Sequence, residues 1–440
     1  MMRLLGIIGA CALLASIGQT VDASNSIKMV GLYAFRPSPE NYTFWKACGY
    51  DTLQFIDHAF SEPKERHDAI YAGIQKGIKD AQKAGFKVYV IELSNIACYP
   101  NYSVYPSVYD PTDPVKMQER LQDIEIGIKK LSSADGFVFF GGDPGGSPVK
   151  LGPAGIKAWM EMGRKVEAMV KENAPKAKFN ANIWAIAAWD DIYTSAFKVE
   201  FWEKEVQYGK MVLAEKDFIS PYCGVEFPLH NYYRSLTFKS YEDARKTPEV
   251  FPVASDIKNL KSRGVKRFWG WAHFLIDEVD DGYTGYSGVK GHPAQAETRY
   301  LRRIVSDAQR IGLNGIYSNT DGSNTAIEAI NTYAFAKFCK NPKLTPEQVI
   351  DDYAGFIADE GSVHDMAQVF RFIENHSTWE SSIPPKYRIK SFDCDFKTAD
   401  EALTALSHVV PNMEPGFPIP EPASKYIARL KIRLQDIAKM

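Results

Sequence analysis

Gly136-Phe-Val-Phe-Phe-Gly-Gly-Asp-Pro-Gly-Gly-Ser147 decides how this chain is read. An apolar run, Phe137 to Phe140, stops at two glycines, a lone carboxylate, a proline and two more glycines. A run of that length reads as a buried strand. Glycine lets backbone approach a ligand closely, and Pro144 sets the turn that follows. Asp143 is left at the carboxyl end of a buried strand, where β/α architectures place their chemistry.

The same pattern recurs on both sides of this stretch. Short apolar or β-branched runs at 28–35, 52–58, 87–93, 136–140, 178–187, 217–222, 267–272 and 314–318 read as strands. Helical stretches separate them, several opening on Asp-Pro, Gly-Pro or Ser and closing on Gly85, Pro175, Gly264 or Gly312. Eight such units predict a (β/α)8 TIM barrel over 24–340. A doubly wound sheet would carry a glycine-rich loop after its first strand, and Phe35-Arg36-Pro37 stands there instead. From 341 to 440 the strands stop, and four helical stretches with a Pro-rich connector at 411–422 predict a C-terminal helical extension.

Composition narrows the class. A formal charge of −2 offers no basic field for nucleic acid. Arg3, the apolar run 4–17 and Val21-Asp22-Ala23 read as a signal peptide over 1–23, so the chain is expected to be exported, periplasmic or secreted. Ile8-Gly9-Ala10-Cys11 loosely resembles a lipoprotein signal, but the stretch before Cys11 is too short to favour lipidation. No later run is apolar enough to span a bilayer. Cys48, Cys98, Cys223, Cys339 and Cys394 are odd in number and lack CxxC spacing, so buried thiols are expected, with one disulfide left open.

The residues after each predicted strand give a candidate site. They include Arg36, His58, Glu92, Asp143, Trp189, Asp190, Tyr222, Glu226, His230, Trp271, His273, Asn319 and Asp321. Carboxylates among tryptophans, histidines and asparagines fit a carbohydrate: rings stack on sugar faces, and amides and acids bond to hydroxyls. Glycosidic cleavage needs one acid to protonate the leaving oxygen and a second carboxylate to attack or to activate water. Asp143 is the first candidate, as base, nucleophile or orienting acid. Glu226, among apolar neighbours, is the expected general acid, with Glu92 or Asp190 as substitute. Arg36, His58, Trp189, Tyr222, His230, Trp271, His273, Asn319 and Asp321 are expected to bind substrate. Each has a plainer reading: Asp143 and Asp321 suit turns, Glu92 can pair with Arg36, and His273 can be a core histidine. No HExxH, EF-hand loop, GxGxxG or GxSxG is present, so neither metal nor cofactor is expected.

Two motifs carry a family likeness. Phe139-Phe-Gly-Gly-Asp143 resembles the strand-four motif of β-hexosaminidases, which ends in Gly-Gly-Asp-Glu. That resemblance implies that Asp143 orients a substrate acetamido group, while Pro144 stands where the family has its acid. Ile316-Tyr-Ser-Asn319, Asn331-Thr-Tyr-Ala-Phe-Ala336 and Asn341-Pro-Lys-Leu-Thr-Pro-Glu347 with Tyr353 are similar to the end of the barrel in α-glucuronidases. Together they imply a glycosidase barrel, and with the leader and the strand-end acids the chain is expected to be an exported glycoside hydrolase that cleaves a glycan or oligosaccharide by a paired-carboxylate mechanism. The alternatives are a catalytically inactive carbohydrate-binding barrel, for which Pro144 argues, and a uronic-acid lyase or epimerase.

Overall fold

The computed structural model describes residues 27–34, 37–94, 110–142, 151–183, 199–229, 252–272, 296–320, 326–376 and 389–439, of which 199–205 and 320 by backbone alone. Eight parallel strands close into a barrel: β1 (Met29–Ala34), β2 (Thr52–Ile56), β3 (Lys87–Leu93), β4 (Gly136–Phe140), β5 (Lys178–Asn182), β6 (Cys223–Pro228), β7 (Phe268–Trp271) and β8 (Gly315–Thr320). Pairing of β1 with β8, Met29 opposite Gly315, completes the ring. Around it lie α1 (Tyr42–Cys48), α2 (His67–Lys83), α3 (Pro114–Lys130), α4 (Gly152–Asn173), α5 (Val199–Ala214), α6 (Ala254–Ser262), α7 (Thr298–Ile311) and α8 (Ala329–Lys340). The chain is a (β/α)8 barrel, as its alternating pattern predicts.

Local chemistry sets the helix ends. Asp113 accepts from the Val115 and Lys116 amides, 2.9 and 3.2 Å away, and Pro114 opens α3. Gly312 ends α7 at φ 89°, a left-handed turn that few other residues adopt.

One strand departs from expectation. The sixth was read at 217–222 but runs Cys223–Pro228. Pro221 lacks the N–H a central strand donates, so the earlier stretch makes the turn into the strand. The true strand was hidden because its inward face carries Gly224, Glu226 and Pro228, none of which signals a core. The short helix α1 was also not anticipated.

The register stacks inward side chains in layers of four, taken alternately from odd and even strands. From the amino end upward these are Thr52, Gly136, Gly224 and Gly315; then Gly31, Tyr89, Asn180 and Trp269; then Gln54, Val138, Glu226 and Tyr317; then Tyr33, Ile91, Asn182 and Trp271; and last Ile56, Phe140, Pro228 and Asn319. Glycine in the lowest layer makes room for the layer above it. A Cβ on Gly136 would stand 2.2 Å from the Tyr89 ring, on Gly224 2.1 Å from Asn180 Oδ1, and on Gly315 2.3 Å from the Trp269 ring. Tyr89 and Trp269 fill that room and meet edge to face at 5.0 Å.

The helical segment after the barrel comprises α9 (Pro346–Ile357), α10 (Val363–Asn375), α11 (Ala399–His408) and α12 (Ala423–Ile437). Two of the contacts that hold it are a buried carboxylate and an aromatic cluster. Glu374 of α10, fully buried, accepts from the Thr298 amide and hydroxyl and from the Arg299 amide and Nε at 2.7–2.9 Å, so it caps α7 from outside. Phe417, from the Pro-rich connector, lies against Phe44 of α1, Tyr333 of α8 and Phe356 of α9, the last ring stacked at 4.6 Å. Removing one member of a buried ion pair leaves the other charge without compensation. Glu374→Ala is therefore expected to lower stability by about 3–5 kcal/mol, read from the urea midpoint. A loss too small to measure would mean that the extension is not held through this carboxylate.

Candidate functional site

The carboxyl ends of the strands form the mouth of the barrel, and its two highest layers are the floor of the candidate site. Trp271 sits at the centre of that floor. Tyr33 lies 5.6 Å from it, Phe140 meets it nearly edge-on at 5.4 Å, and Tyr317, one layer down, stacks within 18° of parallel at 5.9 Å. The Trp271 Nε1–H donates to Asn319 Oδ1 at 2.6 Å. The indole is thus fixed in plane and tilt before any ligand arrives.

Below the floor the barrel core is polar. Glu226 is wholly buried in the middle layer. Its Oε1 accepts from Gln54 Nε2 and Asn180 Nδ2, both at 2.9 Å. Its Oε2 accepts from the Tyr317 hydroxyl at 2.7 Å and Asn182 Nδ2 at 3.3 Å. Asn182 Nδ2 also lies 2.9 Å from the Tyr317 oxygen. Burial pushes the Glu226 carboxyl above its ordinary pKa, and the four donors oppose that push. A carboxylate has about four acceptor positions, and here all are taken. The sequence placed Glu226 in a loop as the general acid. The structure puts it inside the barrel wall, with both oxygens committed to neighbouring side chains.

Glu92 is a second correction. It pairs in register with Phe139, whose ring stacks on Trp159 of α4 outside the barrel. Glu92 therefore faces the helices, not the mouth. A Cβ on Gly127 of α3 would stand 2.8 Å from Glu92 Oε1 and 2.4 Å from Asp57 Oδ2, so this glycine leaves space for two carboxyl groups. Asp57 takes bonds from the Ala59 amide and the Tyr71 hydroxyl, whereas neither Glu92 oxygen has a partner among the described residues. Burial, and then the charge of Asp57, push the Glu92 carboxyl well above its ordinary pKa, with Arg120 opposing. Alternation along β3 could have shown this, since Glu92 is out of step with the inward Tyr89.

Tyr222 is the third correction. It precedes β6, at the amino end of the barrel, where its hydroxyl donates to Ala177 O at 3.2 Å and Lys171 Nζ lies 4.3 Å over its ring. The misplaced sixth strand had moved it to the wrong rim. His58 follows β2 on the mouth side and lines an open groove of about 340 Å³ with Pro37, Glu62, Arg66 and α2. Arg36, Asp143, Trp189, Asp190, His230, His273 and Asp321 lie outside the described residues. The chain leading to Asp143 is described: the Ser94 amide donates to Phe140 O at 2.7 Å, and Gly142 turns at φ 76°. Sequence reasoning missed Tyr33, Gln54, Phe140, Asn180, Asn182 and Tyr317. The alternation Lys178-Phe-Asn-Ala-Asn182, apolar out and amide in, was the available signal.

Among the described residues, no three His, Cys, Asp or Glu side chains are placed to hold a metal ion. Cys48, Cys223, Cys339 and Cys394 are free thiols. No described helix is long and apolar enough to cross a membrane.

No protein-family model matches the sequence, and no curated protein matches it. Solved structures do resemble the chain in shape. One is a GH138 enzyme targeting pectin rhamnogalacturonan II, at a TM-score of 0.53 and 9% identity, over 95% of this chain and 58% of that one. Another is a family GH115 4-O-methyl-α-glucuronidase with specificity for decorated arabinogalactans, at a TM-score of 0.52 and 11% identity, over 94% of this chain and 54% of that one. A sugar phosphate isomerase/epimerase from Parabacteroides distasonis also matches, at a TM-score of 0.36 and 12% identity, over 74% of this chain and 98% of that one. The chain thus spans little more than half the length of either glycoside hydrolase. At such identities the likeness is one of fold.

The outer carboxyl pair has a consequence for pH. A folded-state pKa raised above the unfolded value means that the folded chain holds protons more tightly. The contribution of Glu92 is then fully present below about pH 4.3, the ordinary Glu value, and is lost as pH rises toward its folded value. Glu92→Gln cannot ionise. It is expected to be more stable than the parent at pH 8 and to flatten the stability–pH curve. Parallel curves for the two proteins in urea titrations would refute this reading of the site.

Proposed function

We propose that the chain is an exported glycoside hydrolase that cleaves a glycan or oligosaccharide at the carboxyl mouth of the barrel. The observation that carries the proposal is Trp271: an indole at the floor of the mouth, locked by Asn319 and flanked by Tyr33 and Phe140. Such a ring suits the apolar face of a sugar, and the amide beside it suits a hydroxyl. The fold shared with two glycoside hydrolases agrees with this reading.

The paired carboxylates are assigned to Asp143 and Asp190. With Glu226 saturated and Glu92 facing the helices, these two acids remain from the original set. They follow β4 and β5, neighbours in the ring. Pro144 excludes the hexosaminidase acid from its usual place, which leaves protonation of the leaving group to Asp190 and the base, nucleophile or orienting role to Asp143. Arg36, Trp189, His230, His273 and Asp321 complete the sugar subsites in this proposal. A separation of about 5–5.5 Å between the two carboxyl groups goes with retention of configuration, and about 6.5–9.5 Å with inversion.

A panel of 4-nitrophenyl glycosides, with glucuronides and N-acetylhexosaminides included, tests the proposal. Turnover of at least one is expected, and Asp143→Asn is expected to cut it by about 10²–10⁴-fold. Sugar binding with no turnover across the panel would make the chain a carbohydrate-binding barrel. A product absorbing in the ultraviolet through a new double bond would make it a lyase.

A further inference from the structure

We infer that Arg267, at the closed end of the barrel, is a positioning residue for the mouth, acting through Asn180 and Glu226 on the Tyr317–Trp271 stack. The inference rests on the proposed site for its catalytic readout and on the geometry of the core for everything else.

Arg267 immediately precedes β7 and is half-buried at the amino end of the ring. Three N–H groups of its guanidinium have named acceptors. Nη2 donates to Phe179 O at 2.9 Å and to Tyr222 O at 2.6 Å, and Nε donates to Asn180 Oδ1 at 2.9 Å. That last bond decides which way the amide of Asn180 faces. With its oxygen turned to the guanidinium, its nitrogen must point up to Glu226 Oε1. The carboxylate so placed accepts a hydrogen bond from the Tyr317 hydroxyl on its other oxygen. The Tyr317 phenol is thereby tethered at its far end, and its ring supports the indole of Trp271 one layer higher. The path runs from a cation at one rim to the aromatic floor at the other, with each donor direction set by the one before.

Gly224 shows that the path depends on space as well as charge. Its missing side chain is where the Asn180 amide lies: a Cβ there would stand 2.1 Å from Asn180 Oδ1 and 2.9 Å from Arg267 Cβ. A methyl group at Gly224 must displace that amide while leaving every charged residue in place. A Lys at position 267 keeps the cation but has no N–H fork to fix the amide.

The test uses the full chain and two readouts. First, the near-ultraviolet circular dichroism of wild type minus that of Trp271→Phe isolates the contribution of this indole in its stack. Arg267→Lys and Gly224→Ala are each expected to reproduce a clear part of that difference, with the far-ultraviolet spectrum unchanged. Second, on whichever aryl glycoside the wild type cleaves, both variants are expected to lose kcat/KM by about 2- to 30-fold. That loss should be equal for good and poor leaving groups, with the limbs of the pH profile unmoved. If the wild type cleaves no glycoside, the enzymatic reading fails, and the spectra alone still decide this inference. Folded Arg267→Lys and Gly224→Ala proteins with wild-type near-ultraviolet spectra would overturn it. So would a Glu226→Gln variant that loses turnover only on poor leaving groups, since Glu226 would then be the acid itself.

Discussion

An acidic side chain at the centre of an eight-stranded barrel needs its own solvent. Glu226 has one made of protein: two asparagines, a glutamine and a tyrosine, drawn from β5, β2 and β8. Leaving a carboxyl group unpaired at that depth would cost several kcal/mol. The inward positions of three strands are therefore bound to one another by a single residue of a fourth. The two asparagine amides it fixes lie one layer above and one layer below it, so a constraint at mid-height reaches the layers on either side.

The outer wall of the same barrel handles acids differently. Asp57 is held by an amide and a tyrosine hydroxyl, and Glu92 beside it has no donor among the described residues. The two groups fit only because Gly127 of α3 has no side chain. The inner acid is met by donors, whereas burial and the charge of Asp57 push the outer one toward its neutral form. The first arrangement fixes geometry. The second links stability to pH. Neither acid faces the mouth, so the function proposed above rests on Asp143 and Asp190 instead.

The sequence made the barrel legible because outward positions obey hydrophobic patterning: Val88 and Val90, Phe137 and Phe139, Phe179 and Ala181 face the helices. It made the inside hard to read for the same reason. Where the inward face is polar or glycine-rich, as in Cys223–Pro228, an apolar scan slides to the nearest hydrophobic stretch, and Tyr222 and Glu226 are misassigned with it. Glu92 failed on parity alone, because a residue near a strand end looks like a mouth residue until its phase is counted from Tyr89. Trp271 and Asn319 were legible as candidates because strand-end aromatics and amides stand out in any register. Their mutual bond, which gives the floor its rigidity, belongs to no sequence motif.

Closure of the ring between Met29–Ala34 and Gly315–Thr320 has a consequence for how the molecule is made. On a ribosome the first strand emerges long before its second neighbour exists. Until the last strand arrives, one whole edge of an apolar ribbon stays open to any other chain with unpaired amides. Most of the polypeptide must be present before that edge is protected. The last-made strand thus acts as the fastener of the first.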